Sequence, residues 1–222
     1  MTTTSLAAGL FGGQSERERQ ADRFIHCIGI SAGLVGANTL VAVLVYRADP
    51  IRLSAGIVYA ASLLTMLGCS AAYHLARTPR RKEFLRRVDH AAIFLLIAGT
   101  CTPFIASGSP WSLGCLSFIW LVALTGMWFK IAFPRRLERV SILAYILLGW
   151  TGLLALALFS PSLSSETVIL LSIGGVLYTA GILFHLWETL PFHIAIWHGQ
   201  VVLAAGCHFW AVWQGVAMAT WP

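Results

Sequence analysis

Five polar residues that could do chemistry lie in or beside long apolar segments: Ser70, His74, Asp89, His193 and His198. Ser70 and His74 are four residues apart, so a helix places them on one face. Neutral imidazole is the commonest metal ligand among side chains, and Zn²⁺ accepts three of them together with a water molecule. A nearby carboxylate can orient such a ligand or accept a proton from the water. These residue types therefore point to a metal site, provided that the fold brings them together.

The composition requires the segments that carry these residues to be membrane spans. Of the 222 residues, 58% are hydrophobic and only 11% are charged, and the mean hydropathy is +0.77. A soluble domain has roughly 25% charged residues, so this chain lacks the polar surface that a water-soluble fold needs. The net charge of +6 comes from arginines between apolar runs, which indicates membrane-surface charge and argues against nucleic acid as a partner. The five cysteines lie inside apolar runs and predict no disulfide framework.

Seven apolar runs are long enough for helices that cross the roughly 30 Å of hydrocarbon in a bilayer. Barrel strands are excluded, because the runs are too long and do not alternate. We therefore predict an all-α membrane protein, a seven-transmembrane helix bundle over residues 21–222, preceded by a flexible tail over residues 1–20. The predicted spans are approximately residues 24–46, 51–75, 88–108, 111–133, 140–160, 166–187 and 192–216.

The distribution of lysine and arginine predicts the orientation of the bundle. Thirteen of the fifteen basic residues fall before the first span, between the second and third, or around the fourth-to-fifth connection; only Arg47 and Arg52 fall on the other side. Cytoplasmic loops carry an excess of basic residues, so we predict a cytoplasmic N-terminus and an external C-terminus. The five polar residues named above then share one layer near the cytoplasmic face, which predicts that they form a site.

The positions of three further histidines favour structural roles. His208 comes ten residues after His198, about 15 Å further along a helix, so we expect it to make an internal hydrogen bond. His90 is turned about 100° from Asp89, so the two side chains cannot easily reach one ion. His26 opens the first span and is expected at the membrane interface.

Three motifs, in order, resemble those of the hemolysin III family, which is the bacterial branch of the progestin and adiponectin receptor family. They are S-x-x-x-H at Ser70 and His74, "VDHAAIFLLIAGTCTPF" from Val88 and "IAIWHGQVVLAAGCHF" from Ile194. The resemblance covers essentially the whole chain. It implies a zinc ion near the cytoplasmic face of the bacterial inner membrane, with His74 and His198 as ligands. It also implies that Ser70 and Asp89 are the serine and aspartate of the site.

The third ligand departs from the family pattern. Many relatives carry H-x-x-x-H at the start of the seventh span, which would place a histidine at position 194, whereas this chain has Ile194 preceded by His193. The five-residue spacing turns His193 about 140° from His198 on a regular helix, although an irregular start of the helix can bend it back. We take His193 as the expected third ligand. The alternatives are a site with fewer histidines or one that recruits Asp89 or His185.

Two functions are compatible with these residues. The wider superfamily, which includes alkaline ceramidases, suggests a zinc-dependent intramembrane hydrolase of lipid amide or ester bonds, with Asp89 as general base and Ser70 positioning water or the oxyanion. The alternative is a non-enzymatic protein, either a structural metal site or a receptor-like sensor with a membrane lipid as its ligand. A pore-forming cytolysin ranks lowest, because it would need a water-soluble form that this composition does not allow. The sequence leaves the oligomeric state open.

Reporter fusions test the predicted orientation. Alkaline phosphatase, which is active only outside the cytoplasm, is expected to be active when it is fused to the C-terminus, since the basic loops hold the other face inside. Green fluorescent protein at the same point is expected to be dark. The same two reporters fused after Arg77 are the control and should give the opposite result. Fluorescence from the C-terminal fusion would contradict the orientation.

Overall fold

The computed structural model describes residues 14–105, 110–133, 138–159 and 163–218, and within these ranges it contains helices and no strand. Seven of the helices are long and apolar enough to cross a membrane, which confirms the predicted seven-helix membrane bundle. In chain order they are α1 (Glu16–Arg47), α2 (Pro50–Leu75), α3 (Pro79–Ile105), α4 (Pro110–Ala132), α5 (Glu138–Phe159), α6 (Ser165–Leu186) and α7 (His193–Val212). A short π-helical segment, Trp213–Met218, follows α7 directly.

Two helices begin well before the apolar runs that predicted them, because their first turns are polar. α1 starts in a capping box, in which the Ser15 hydroxyl accepts from the Glu18 N–H at 3.3 Å and the Glu18 carboxylate accepts from the Ser15 N–H at 2.6 Å. α3 starts at Pro79, and a proline at the first helical position leaves no N–H unsatisfied. The boundary predicted at residue 20 between tail and bundle therefore falls inside α1.

α2 and α3 form the centre of the bundle. Within their most apolar stretches 56% and 67% of the residues are buried, compared with 17% to 33% in the other five helices. The two helices approach closely at Gly99 of α3, where an added Cβ would overlap the Ser62 side chain of α2. The Ser62 hydroxyl donates to the Val58 carbonyl at 2.7 Å, which fixes its position. The two helices that carry three of the five predicted site residues are thus held close together.

α1 packs against the bundle through one narrow stripe. The buried residues of this helix are three or four positions apart, which keeps them on one face; they are Asp22, His26, Gly29, Gly33, Ala37, Leu40 and Leu44. An added Cβ at Gly33 would overlap Leu67 of α2, and one at Gly29 would overlap Val202 of α7. The small residues therefore bring α1 close to α2 and α7. Asp22 and His26, at the start of this stripe, therefore also face α2 and α7.

The starts of α1, α3, α5 and α7 lie together at one end of the bundle, which we call the basic end because most lysines and arginines belong to it. Arg86 of α3 donates to Glu83 at 3.2 Å and to Glu138, the first residue of α5, at 2.9 Å. Glu18 of α1 accepts from the N–H of Phe192, the residue before α7, at 2.8 Å. These contacts join the start of α3 to that of α5 and the start of α1 to that of α7.

Gly99→Ala tests the close packing of α2 against α3. The new methyl group overlaps the Ser62 side chain, so we expect the free energy of unfolding to fall by about 1–3 kcal/mol, measured as a lower melting temperature in detergent. Gly114→Ala in α4 is the matched control, because no described neighbour lies within 4 Å of a Cβ built there. Equal stability of the two variants would contradict the packing.

Candidate metal centre

Asp22, His26, His74 and His198 form a buried cluster where α1, α2 and α7 meet near the basic end. Asp22 is 3% exposed, His198 5% and His26 8%, while the His74 side chain is 17% exposed. One ligand atom from each of the four residues lies within 4.8 Å of the other three. In the part of the chain that the structure describes, no other group of three or more His, Cys, Asp or Glu residues meets this condition. We refer to these four residues as the Asp22 cluster.

The Asp22 carboxylate is the centre of this cluster. Its Oδ1 atom lies 2.5 Å from His198 Nδ1, a hydrogen bond that the imidazole N–H donates. Its Oδ2 atom lies 3.2 Å from His74 Nδ1 and 3.7 Å from His26 Nε2. The three imidazole rings also contact one another, with centroids 4.5 to 5.4 Å apart. One carboxylate thus joins side chains from three helices.

The donor set of the Asp22 cluster fits a divalent metal ion. A tetrahedral zinc site with bonds of about 2.0–2.1 Å places its ligand atoms roughly 3.4 Å apart. Asp22 Oδ2 lies 3.2 Å from His74 Nδ1 and 3.7 Å from His26 Nε2, one distance below that value and one above it. His26 Nε2 is buried and has no hydrogen-bond partner among the described residues, so its position is suited to binding a cation. These four residues therefore form a donor set that could hold a divalent metal ion, although the 2.5 Å between Asp22 Oδ1 and His198 Nδ1 is too short for both atoms to bind the same ion.

The start of α7 is positioned by α1. Phe192 has a φ of 61°, a left-handed conformation that is uncommon for residues other than glycine, and its N–H donates to Glu18. Glu18 lies one turn before Asp22 on the same face of α1. His198 follows in the second turn of α7. One face of α1 therefore anchors the start of α7 and also supplies the carboxylate that His198 contacts.

Ser70 and Asp89 lie beside the Asp22 cluster without belonging to it. Ser70 is buried one turn before His74 on α2, and its hydroxyl lies near the Asp89 carboxylate of α3. Asp89 is also within electrostatic range of His74. The structure thus brings together four of the five residues singled out from the sequence, namely Ser70, His74, Asp89 and His198.

His193 is the fifth of these residues, and the structure places it outside the cluster. Its Nδ1 atom faces the carbonyl oxygen of Phe184 in α6, at 3.3 Å. Because His193 is the first residue of α7, the helix turns it about 140° from His198, toward α6 rather than α1. The sequence left the third ligand open among His193, Asp89 and His185. In the structure, Asp22 and His26 of α1 are the residues that join His74 and His198 in the cluster.

Sequence reasoning missed Asp22 and His26 for different reasons. Asp22 falls in the charged run "SERERQADR" before the apolar part of the first span, and His26 was expected at the membrane interface. A usable signal was present, because the two residues are four apart and in register with Gly29 and Gly33. That register predicts one shared, inward face.

Two other histidines make backbone hydrogen bonds. His208 Nε2 lies 3.1 Å from the carbonyl oxygen of Leu171, which confirms the internal hydrogen bond that its position predicted. His90 Nδ1 lies 2.7 Å from the carbonyl oxygen of Arg86, four residues earlier on α3. Both nitrogens therefore donate to the main chain.

A cavity of about 1370 Å³ opens beside the Asp22 cluster, and His74, His198 and Asp89 line it. Its lining is charged at the basic end, where Lys82, Arg86, Lys130, Glu138 and Arg139 contribute. The rest of the lining is mainly aliphatic and aromatic, and includes Ile93, Leu96, Ile146, Leu153, Leu171 and Trp197. The cavity therefore combines a charged end with a long apolar wall.

These features define an integral membrane protein with seven spanning helices and a buried carboxylate–histidine cluster. Residues 18–209 match the family described as "Haemolysin-III related". The chain belongs to the haemolysin-III family, and the resemblance seen in its three motifs is thereby confirmed.

Relatives of the chain occur in bacteria and in animals. "Hemolysin-3" of Bacillus cereus is 34% identical over 204 residues, which cover 90% of this chain and 92% of the relative. "Hemolysin-3 homolog" of Bacillus subtilis (strain 168) is 33% identical over 201 residues, covering 88% and 93%. The human "Monocyte to macrophage differentiation factor" is 26% identical over 173 residues, covering 71% and 68%. This last protein is a distant relative from the progestin and adiponectin receptor family.

Substitution of single cluster residues tests the metal site. We expect Asp22→Ala, His26→Ala, His74→Ala and His198→Ala each to lower the affinity for divalent metal by at least about tenfold, because each removes a ligand or its oriented partner. Elemental analysis of the protein purified in neutral detergent gives the metal content. His193→Ala is the matched control and should retain the metal, because His193 faces Phe184. Loss of metal in His193→Ala but not in His26→Ala would contradict the assignment and restore His193 as a ligand.

Proposed function

We propose that this protein is a zinc-dependent hydrolase of lipid amide or ester bonds at the cytoplasmic face of the bacterial inner membrane. The observation that carries the proposal is that His74 and His198 of the Asp22 cluster line a cavity with a charged end and an apolar wall. An amphiphilic lipid matches both parts of that lining. Ligand sites are commonly cavities with an apolar wall and a few convergent polar groups.

Zinc is the metal that this donor set favours. Imidazole nitrogen suits Zn²⁺, whereas Mg²⁺ and Ca²⁺ prefer ligands made only of oxygen. When bound, zinc would polarise a carbonyl group and lower the pKa of a bound water to about 7. Because His74 and His198 lie in the cavity wall, the scissile bond of a lipid in the cavity can reach the cluster.

Asp89 is the proposed general base. Its carboxylate lies in the cavity wall and within electrostatic range of His74. From this position it can accept a proton from a water molecule in the cavity and return it to the leaving group. The Ser70 hydroxyl lies near this carboxylate, where it can donate to it and hold it in one orientation. Ser70 therefore positions the Asp89 carboxylate, and Asp89 accepts and returns the proton.

The basic end is the proposed cytoplasmic end of the bundle. Of the thirteen lysines and arginines among the described residues, all but Arg47 and Arg52 belong to it, and cytoplasmic segments carry the excess of these residues. The charged part of the cavity lies at the same end. A lipid headgroup can then remain near the membrane surface while the chain extends along the apolar wall.

The number of donors in the cluster favours a second candidate, a non-enzymatic metal site. Asp22, His26, His74 and His198 together equal the four ligands of a closed structural zinc site. Such a site would clamp α1, α2 and α7, and a lipid in the cavity would be a ligand rather than a substrate. The hydrolase instead needs an open position, which Asp22 provides if it only orients His198 through their hydrogen bond.

Asp89→Asn distinguishes the two candidates. For a hydrolase we expect this variant to retain its metal and to release fatty acid from a panel of lipid amides and esters at least about 100-fold more slowly, because an amide cannot accept the proton. Fatty-acid release is measured in proteoliposomes alongside the metal content of the same preparation.

Glu166→Gln is the matched control for this experiment, because it makes the same change at an exposed position in the first turn of α6. Unchanged hydrolysis by Asp89→Asn would contradict the general-base role. If the zinc-loaded protein hydrolyses no lipid of the panel, and a chelator lowers its melting temperature, the structural candidate replaces the hydrolase.

A further inference from the structure

The cavity has a second polar feature, which the proposed hydrolysis does not use. Lys130, in the last turn of α4, is only 5% exposed and lines the cavity. Within the residues that the structure describes, it makes no hydrogen bond or ion pair. Its side chain is therefore buried in the bundle, and no carboxylate among the described residues contacts its ammonium group.

A lysine near the end of a membrane span normally extends its side chain to the water at the interface. Lys130 is held inside the bundle instead, where an ammonium group is unfavourable unless an anion accompanies it. The cavity beside it has room for such an anion. This burial points to a bound group rather than to a solvated surface charge.

The acidic residue within electrostatic range of Lys130 is already engaged. Glu138 attracts Lys130 from a distance, while Arg86 repels it. Glu138 accepts from Arg86 at 2.9 Å, and Arg86 also donates to Glu83 at 3.2 Å. His90, which likewise lies within range of Lys130, hydrogen-bonds the main chain. None of these groups neutralises the lysine by direct contact.

We propose that Lys130 binds the phosphate headgroup of an anionic membrane lipid whose acyl chains lie along the apolar wall of the cavity. Lysine binds phosphate as a point charge, and Arg139 and Lys82 line the same end of the cavity and add positive charge there. The cavity, at about 1370 Å³ and with a mainly apolar lining, is far larger than a phosphate ion, which favours a lipid. This inference rests on the proposed use of the cavity by a lipid, and it narrows the substrate class to anionic phospholipids.

Binding to the full-length protein in neutral detergent, measured by native mass spectrometry, tests the headgroup. The probes are a phosphatidic acid, a diacylglycerol with the same acyl chains, and inorganic phosphate. We expect the phosphatidic acid to bind at least about tenfold more tightly than the diacylglycerol, since a charge-assisted contact is lost in the neutral lipid. Lys130→Met should remove this preference, and Lys130→Arg should retain it.

Arg81→Met is the matched control. It removes one positive charge at the same end of the bundle, but Arg81 is exposed and lies outside the cavity lining, so the preference should persist. A rise in melting temperature with phosphatidic acid in the wild type, but not in Lys130→Gln, provides a second measurement should Lys130→Met fail to fold.

Equal affinity of the wild type for the two lipids, or a preference that survives in Lys130→Met and Lys130→Gln, would overturn the proposal. Inorganic phosphate that binds as tightly as the phosphatidic acid would overturn the assignment to a lipid. Turnover plays no part in these measurements. If the protein hydrolyses neutral lipids but does not prefer phosphatidic acid over diacylglycerol, only this inference is refuted. If it prefers phosphatidic acid but hydrolyses no lipid, only the hydrolase proposal is refuted.

Discussion

The buried carboxylate of Asp22 is the interaction on which the basic end of the bundle depends. A carboxylate taken out of water is strongly unfavourable unless partners surround it. Three imidazoles do so here, and they come from α1 itself, from α2 and from α7. α1 is therefore held by the contacts of the Asp22 carboxylate at this end and by close packing of small residues further along. A displacement of α1, α2 or α7 consequently disturbs the other two.

The candidate site lies at the boundary between two differently packed parts of the bundle. On one side α1, α2 and α7 approach closely through glycines such as Gly29 and Gly33. On the other side α3, α5 and α6 line the cavity with long apolar side chains. His74 and His198 belong to both parts, since they contact Asp22 and also line the cavity. The proposed lipid hydrolase needs this combination, because rigid ligands require tight packing whereas a lipid requires space.

The sequence was sufficient for the seven helices, because hydropathy averaged over a span is insensitive to individual contacts. It also led to His74 and His198, since motif resemblance places both near one face of the membrane. It did not lead to Asp22 and His26. Hydropathy places the start of the first span after Asp22, whereas capping by Ser15 extends α1 as a helix to Glu16. The contact with His198 depends on how α1 and α7 are arranged in space, which no local pattern specifies.

The separation along the chain of the residues in the Asp22 cluster has a consequence for biogenesis. Asp22 and His198 are 176 residues apart, and membrane helices are synthesised in order from the N-terminus. The carboxylate therefore enters the bilayer with α1, gains His74 with α2, and meets His198 only when the last helix is made. At ordinary rates of synthesis the interval between those two histidines lasts on the order of ten seconds. The cluster is thus completed only when α7 is made, and a protein that lacks α7 leaves the Asp22 carboxylate with His26 and His74 but without its contact to His198.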